Sequence, residues 1–249
     1  MPDAEGDRPG RRAADRGRYG RLSRERVLAS AMEMVDREGL SGLSMRSLGA
    51  ELGVEAMALY RYASSKDALL DGLVEAFHQE LEEVLAADGP ARTAWREELR
   101  RHARAAYEVA MRHPNVVPLL ATRLLSTPLA RRPAAVLRSD ERVLDLLHRA
   151  GIAEPTVVSL HRVFTAWLLG YLLVELRAMD DAPEESDPGF RLGLHRLSAQ
   201  EFARLRATAP AMADRGGPEG LASGLDALLD RFVVAPADGD GRGPLPPGS

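Results

Sequence analysis

The stretch from Leu40 to Leu70, LSGLSMRSLGAELGVEAMALYRYASSKDALL, limits the fold more than any other part of the chain. Met45, Leu48 and Leu52 recur at i, i+3 and i+7, which marks one face of a helix over about Met45 to Leu52. Gly53 follows at once, and only glycine takes a left-handed turn conformation cheaply. The pattern predicts a second short helix from about Glu55 to Tyr62, pinned from inside by Val54 and Leu59. A third begins at the Ser64-Ser65 cap and carries Leu69, Leu70, Leu73, Val74, Phe77 and Leu81. Two short helices across a tight turn, with another immediately after, are the layout of a helix-turn-helix that lays its second helix in the major groove of DNA.

The rest of the chain also has helical period, and no run alternates long enough to predict a strand. Val27, Leu28, Ala31, Met34 and Val35 form one stripe, with Ser23 as N-cap and Gly39 as stop. After the Gly89-Pro90 break, helices are expected over about Trp95 to His113, Ala134 to Ala150, Thr156 to Met179, Ser198 to Ala207 and Glu219 to Val234. Pro114 and Pro118 bracket an irregular connection, and Asp180 to Pro188 is an acidic loop. The expected fold is all-α. A helix-turn-helix reader spans 21–66, and a larger ligand-binding and dimerisation body spans 67–234, in which 67–87 is the connecting helix. Residues 1–20 are Gly, Arg and Asp without apolar period, so a disordered basic arm is expected, either a solvated tail or a tracker of phosphates. Residues 235–249 form a disordered Pro/Gly tail.

Composition excludes several chemistries. There are 0 Cys, so no disulfide, thiol nucleophile or cysteine metal site is possible. The net charge is −4, but residues 1–66 carry about +2 and the remainder about −6, so DNA affinity must come from a local face. The N-terminus lacks the apolar core of a signal peptide, which fits a cytoplasmic protein. The most apolar run, Ala166 to Val174, is too short to cross a bilayer and reads as a buried helix, so no membrane partner is expected. No Gly-rich phosphate loop, no histidine pair at i, i+4 and no Gly-x-Ser-x-Gly elbow occurs. Glu82 and Glu83 point apart on a helix, and Glu184, Glu185 and Asp187 fall in a solvated loop. The expectation is no enzyme, no metal and no cofactor.

Within the reader, Ala56, Met57 and Ala58 open the second helix, where a recognition helix meets base edges. Such residues touch thymine methyls but make no paired hydrogen bonds, which leaves Arg46 and Arg61 as the polar readers. Ser44 joins them at the start of the first helix. Tyr60 and Tyr62 can donate hydroxyls to phosphates, and Ser64, Ser65 and Lys66 sit where helix N–H groups and the dipole favour an anion. Lys66 is the sole lysine of the chain.

The string LYRYASSKDALL, Leu59 to Leu70, resembles the Leu-Tyr-x-His-Phe-x-x-Lys-x-x-Leu-Leu pattern of the TetR family of one-component transcription repressors. Leu43-Ser44-Met45-Arg46 and Leu48 to Val54 resemble its upstream elements. Tyr62 stands where His is common, and Ala63 where a bulky residue is usual. The resemblance implies a homodimeric repressor that binds a palindromic operator and is released by a small molecule. The closing helix, Gly224 to Phe232, is similar to that of the tetracycline-repressor branch. It implies a dimer interface over the last two long helices, with Ala166, Gly170, Leu173, Leu221, Leu225, Leu228 and Phe232 as candidates. Candidates for the ligand pocket are His102, Tyr107, Met111, Leu119, Arg123, His161, Phe164 and Trp167, with Trp95 beside them; the aromatics fit core positions equally well. In the tetracycline repressors a histidine before Leu-Gly-Thr-Arg helps hold the drug's magnesium. Here the string is Leu119-Leu120-Ala121-Thr122-Arg123, so a more apolar effector without magnesium is expected. An activator with the same reader, or a helical carrier or enzyme whose N-terminal unit is only structural, are the alternatives.

Overall fold

The computed structural model describes residues 22–91, 94–176 and 181–231, apart from the side chains of residues 124 and 125. The arm over 1–20, the tail over 235–249, Phe232 and the predicted helix ends at Met179 and Val234 lie outside the described residues. Those described form helices and turns, with no strand among them.

Helix α1 (Arg24–Gly42) starts where the Ser23 hydroxyl accepts from Arg26 N at 3.2 Å. The expected stop at Gly39 is instead a kink: φ there is +73°, and a further turn runs on to Gly42. Helix α2 (Met45–Leu52) opens with a reciprocal cap between Ser44 and Ser47, at 3.0 and 2.9 Å. Gly53 closes it in the left-handed region, φ +67°. Helix α3 (Ala56–Leu59) is one turn, shorter than predicted. The amides of Tyr62 and Ala63 both bond Leu59 O, at 2.8 and 2.9 Å, so one further turn wraps residues 60–62 after the helix ends. Helix α4 (Lys66–Ala87) is capped by Ser65, whose hydroxyl accepts from Ala68 N at 3.0 Å.

Helix α5 (Trp95–Arg112) leads into a 3-10 turn, Pro114–Val116, and then α6 (Val117–Ser126). Helical structure replaces the irregular connection expected here. Both prolines occupy first-turn positions, where a missing N–H costs a helix nothing. Next come a 3-10 turn, Leu129–Arg131, α7 (Ala134–Arg149) and α8 (Glu154–Glu175). The acidic loop leads into a short α9 (Pro188–Arg191), capped by Asp187 and followed by a 3-10 turn, Leu194–Arg196. Helices α10 (Ala203–Ala213) and α11 (Gly217–Asp230) complete the order.

Helix α4 is the spine, packing against α1, α5, α6 and α7. One hydrophobic cluster runs without a break from Val27 in α1 to Leu229 in α11, so the reader is seated on the body. Gly72 permits this seating, because a Cβ there would lie 2.5 Å from Leu28 Cδ2. Helix α8 corrects another expectation. It is long and apolar enough to cross a membrane by length and composition, and it is only half a core helix. Val157, Leu160, Phe164, Leu168 and Leu172 are buried, whereas Val158, Arg162, Ala166, Gly170 and Val174 form an exposed stripe on the other side.

Candidate functional site

The α2–α3 turn presents a small exposed head. Met57 is 75% exposed and Tyr60 44%, unusual for such side chains in a folded domain. Arg46, Arg61, Ser65 and Lys66 are also exposed, while Ala56 and Ala58 are half-buried. Ser44 is exposed, with its hydroxyl in the α2 cap. Gly49 lets α3 approach, because a Cβ there would lie 2.9 Å from Val54 O. Arg37 braces α1 on α2 through Glu51 at 3.2 Å.

Tyr62 does not join this surface. Its hydroxyl donates to Leu22 O at 2.9 Å and its ring is half-buried, so the predicted phosphate donor instead ties the start of the reader to its far side. Arg61 lies over the Tyr62 ring, 5.9 Å from its centroid. The sequence offered no way to separate these roles, since a tyrosine hydroxyl serves a carbonyl as well as a phosphate.

The pocket candidates separate in the same way. Arg123 is engaged in ion pairs. Its Nη2 donates to Asp67 O at 3.0 Å and to Asp67 Oδ1 at 2.8 Å, and Nε lies 3.3 Å from Asp71 Oδ1. It therefore straps α6 to the first turn of α4, beside Lys66. Tyr107 donates its hydroxyl to Glu175 Oε1 at 3.2 Å. Glu175, 8% exposed, also accepts from Gly216 N at 3.2 Å and Gly217 N at 2.8 Å, so it caps α11. Burial, and then the Glu175 charge, push the Tyr107 hydroxyl above its ordinary pKa. Trp167 packs on α11 at Gly224, where a Cβ would lie 3.1 Å from its ring, and Tyr171 lies against Gly216 and Gly220. The sequence reading missed Glu175 and the Gly216, Gly220, Gly224 spacing, which marks a flat helix side open to large rings.

Among interface candidates, Leu221 and Leu225 are 2% and 0% exposed and belong to the protomer's own core, because the α11 face that carries them packs on α5 and α8. Leu173 and Leu228 are half-buried, and Ala166 and Gly170 lie on the open stripe of α8. Of the remaining pocket candidates, Leu119 is buried, Met111 is packed against the core, and Arg96 covers the Trp95 ring at 5.0 Å. His161 Nε2 lies 3.3 Å from Asp140 Oδ1. His102 and Phe164 are brought together edge-on, ring centroids 6.0 Å apart. Burial foremost, then the His78 charge, lowers the His102 pKa to about 4. Burial also lowers that of His78.

Reader and body meet at a junction the sequence did not reveal. His113, just after α5, reaches Asp36 Oδ2 on α1 and Glu80 Oε2 on α4, both at 2.7 Å. Asn115 donates to Val35 O at 2.9 Å and Asp36 O at 3.1 Å. These residues are far apart in sequence, so no local motif announces them.

Comparison with known proteins gives two family matches. Residues 27–73 match the tetR family of bacterial regulatory proteins, and residues 89–231 match the tetracycline repressor-like C-terminal domain. The HTH-type transcriptional repressor DrrR1 of Streptomyces coeruleorubidus is 33% identical over 160 residues, 64% of this chain and 56% of that protein. The chain spans 56–66% of the length of the first curated relatives it matches. A possible TetR family transcriptional regulator from Streptomyces coelicolor A3(2) has a similar fold, with a TM-score of 0.66 at 24% identity over 84% of this chain and 98% of that one. So does ActR from Streptomyces coelicolor, solved in complex with (S)-DNPA, with a TM-score of 0.62 at 22% identity over 85% of this chain and 97% of that one.

Proposed function

The chain belongs to the tetR family of bacterial regulatory proteins, and from that premise we propose that it is a homodimeric repressor whose operator is a DNA palindrome and whose release is triggered by a small, largely apolar effector. The observation that carries this is the exposed head after Gly53, with Met57 outermost and Tyr60, Arg46, Arg61 and Lys66 around it. Met57 suits a thymine methyl, the arginines suit base edges, and Tyr60 and Lys66 suit phosphates.

Two heads are needed to read two half-sites one helical turn apart, about 34 Å. The open stripe of α8 supports a second copy, because Ala166 and Gly170 allow close approach and Val158 and Val174 gain burial. The effector acts in the body, which matches the tetracycline repressor-like C-terminal domain over residues 89–231; ActR, similar in fold, was solved in complex with a small molecule. Its binding would reach the heads through α4, which the Arg123 strap holds at the clamp end and the His113 junction holds at mid-length. A coupling of about 1–3 kcal/mol is typical of such switches.

The test is fluorescence anisotropy with the DNA upstream of the chain's own gene and a scrambled duplex of equal length. Saturable, salt-sensitive binding of two protomers to the first duplex alone is the expected result. Equal binding to both, or to neither, refutes the reading. Reporter output that rises when the protein is supplied would make it an activator with the same reader.

A further inference from the structure

The body holds a set of buried polar groups that the reading head does not need. His78 on α4, His102 on α5 and Ser139 on α7 are all buried among leucine, valine, alanine and phenylalanine, as are the charged Glu98, Arg101 and Glu175. His102 is 6% exposed, and its Nδ1 has no hydrogen-bond partner among the described residues. Resting on the reading of an effector-released regulator, we propose that the effector enters between α4, α5, α7 and α8 and is an uncharged aromatic molecule bearing a hydroxyl, whose hydrogen His102 Nδ1 accepts.

The ligand class follows from what the site offers. A neutral imidazole has one N–H and one lone pair. Orphaned buried N–H groups are rarer than unfilled acceptors, so Nδ1 of His102 carries the lone pair. His78 donates through Nδ1 to Val74 O at 2.9 Å, which leaves its Nε2 as a second acceptor. Burial keeps both rings neutral, so neither supplies the cation that a carboxylate or phosphate needs. The nearby acids are already matched: Asp140 by Arg132 at 3.6 Å, Glu98 by Arg101 at 2.7 Å, and Glu82 by Arg142. A cationic ligand therefore has no free carboxylate there. The edge-on pair of His102 and Phe164 is a surface that a further aromatic ring extends. Alanines at 103, 105, 106 and 110 fill much of the buried face of α5, so little packing is broken when its neighbours separate.

The experiment uses the full chain and three probes: 2-naphthol, naphthalene and 2-naphthoate. Calorimetric titration is paired with 15N spectra of the histidine rings. The expected result is 2-naphthol bound at least about tenfold more tightly than either of the others, with the His102 Nδ1 resonance displaced on binding. His102→Phe should reduce the advantage over naphthalene to within about twofold. His102→Asn, whose Oδ1 supplies an acceptor in a similar place, should retain most of it. Equal affinities, a preference for 2-naphthoate, no binding of any probe, or an unmoved Nδ1 would each overturn the proposal. Operator binding is measured on the same preparation. Operator bound with 2-naphthol ignored removes this inference alone, whereas no operator bound removes the regulator reading.

Discussion

Arg123→Ala cuts the strap between α6 and the clamp end of α4, and its effect can be sized from the structure. The Arg123 side chain is 20% exposed, but Asp67 is 80% and Asp71 41%, so solvent screens both pairs. Such exposed pairs are each worth about 0.2–1 kcal/mol, and the bond to Asp67 O adds a similar amount. About 1 kcal/mol per protomer follows, hence about 2 kcal/mol for two heads that must engage one operator together. That is about a thirtyfold loss of operator affinity. The fold should lose only about 1 kcal/mol, since no buried group is left unpaired. Anisotropy at low salt, beside a urea unfolding curve, reads both quantities. Asp67→Asn in the same background separates two causes. If Arg123 only masks an acid near phosphate, affinity returns; if it is a strut, affinity stays low. Operator affinity within twofold of wild type in a folded Arg123→Ala protein would refute the strap.

Acid should destabilise the body through His102. Above about pH 6.5 the ring is neutral in both folded and unfolded chains and adds no slope. Between about 6.5 and 4 the unfolded chain takes the proton first, so stability falls with pH by about 3 kcal/mol in all. His102→Asn should flatten that slope in urea curves taken from pH 7 to 4.5, and an unchanged slope would contradict the assignment. Lys66→Ala should weaken binding on every operator variant alike and lower the logarithmic salt slope by about 2, one contact from each protomer, as checked by titrations at several salt concentrations. Tyr62→Phe should cost about 1 kcal/mol of stability through the lost bond to Leu22 O while leaving the salt slope alone, which sets it apart from the exposed Tyr60. Gly170→Leu has open space around it within the protomer, so it should fold normally yet sediment as a monomer if α8 pairs with its copy.

The reader was legible from sequence because its determinants are local. Ser44 and Ser47 lie within one turn, Gly53 needs only its own φ, and the Leu48–Leu59–Leu69 core lies within a span of 22 residues. The body was legible in most of its helices, α6 excepted, but not in its side-chain roles. Arg123, Tyr107, Trp167, Leu221 and Leu225 all have residue types that suit a pocket or an interface. What each one touches depends on distant helices, as with Asp67, 56 positions from Arg123, and Glu175, 68 positions from Tyr107.

The chain's sequence alone determined an all-helical protein with a short, glycine-turned head near its start, because helical period, caps and a left-handed glycine act between near neighbours. Tertiary structure alone decided which polar groups are spent inside and which remain available outside. Tyr62 and Tyr60 are two residues apart and chemically alike, yet one is bonded to Leu22 and the other faces solvent. Hydrogen-bond partners and burial belong to the packed whole, and no residue carries them by itself.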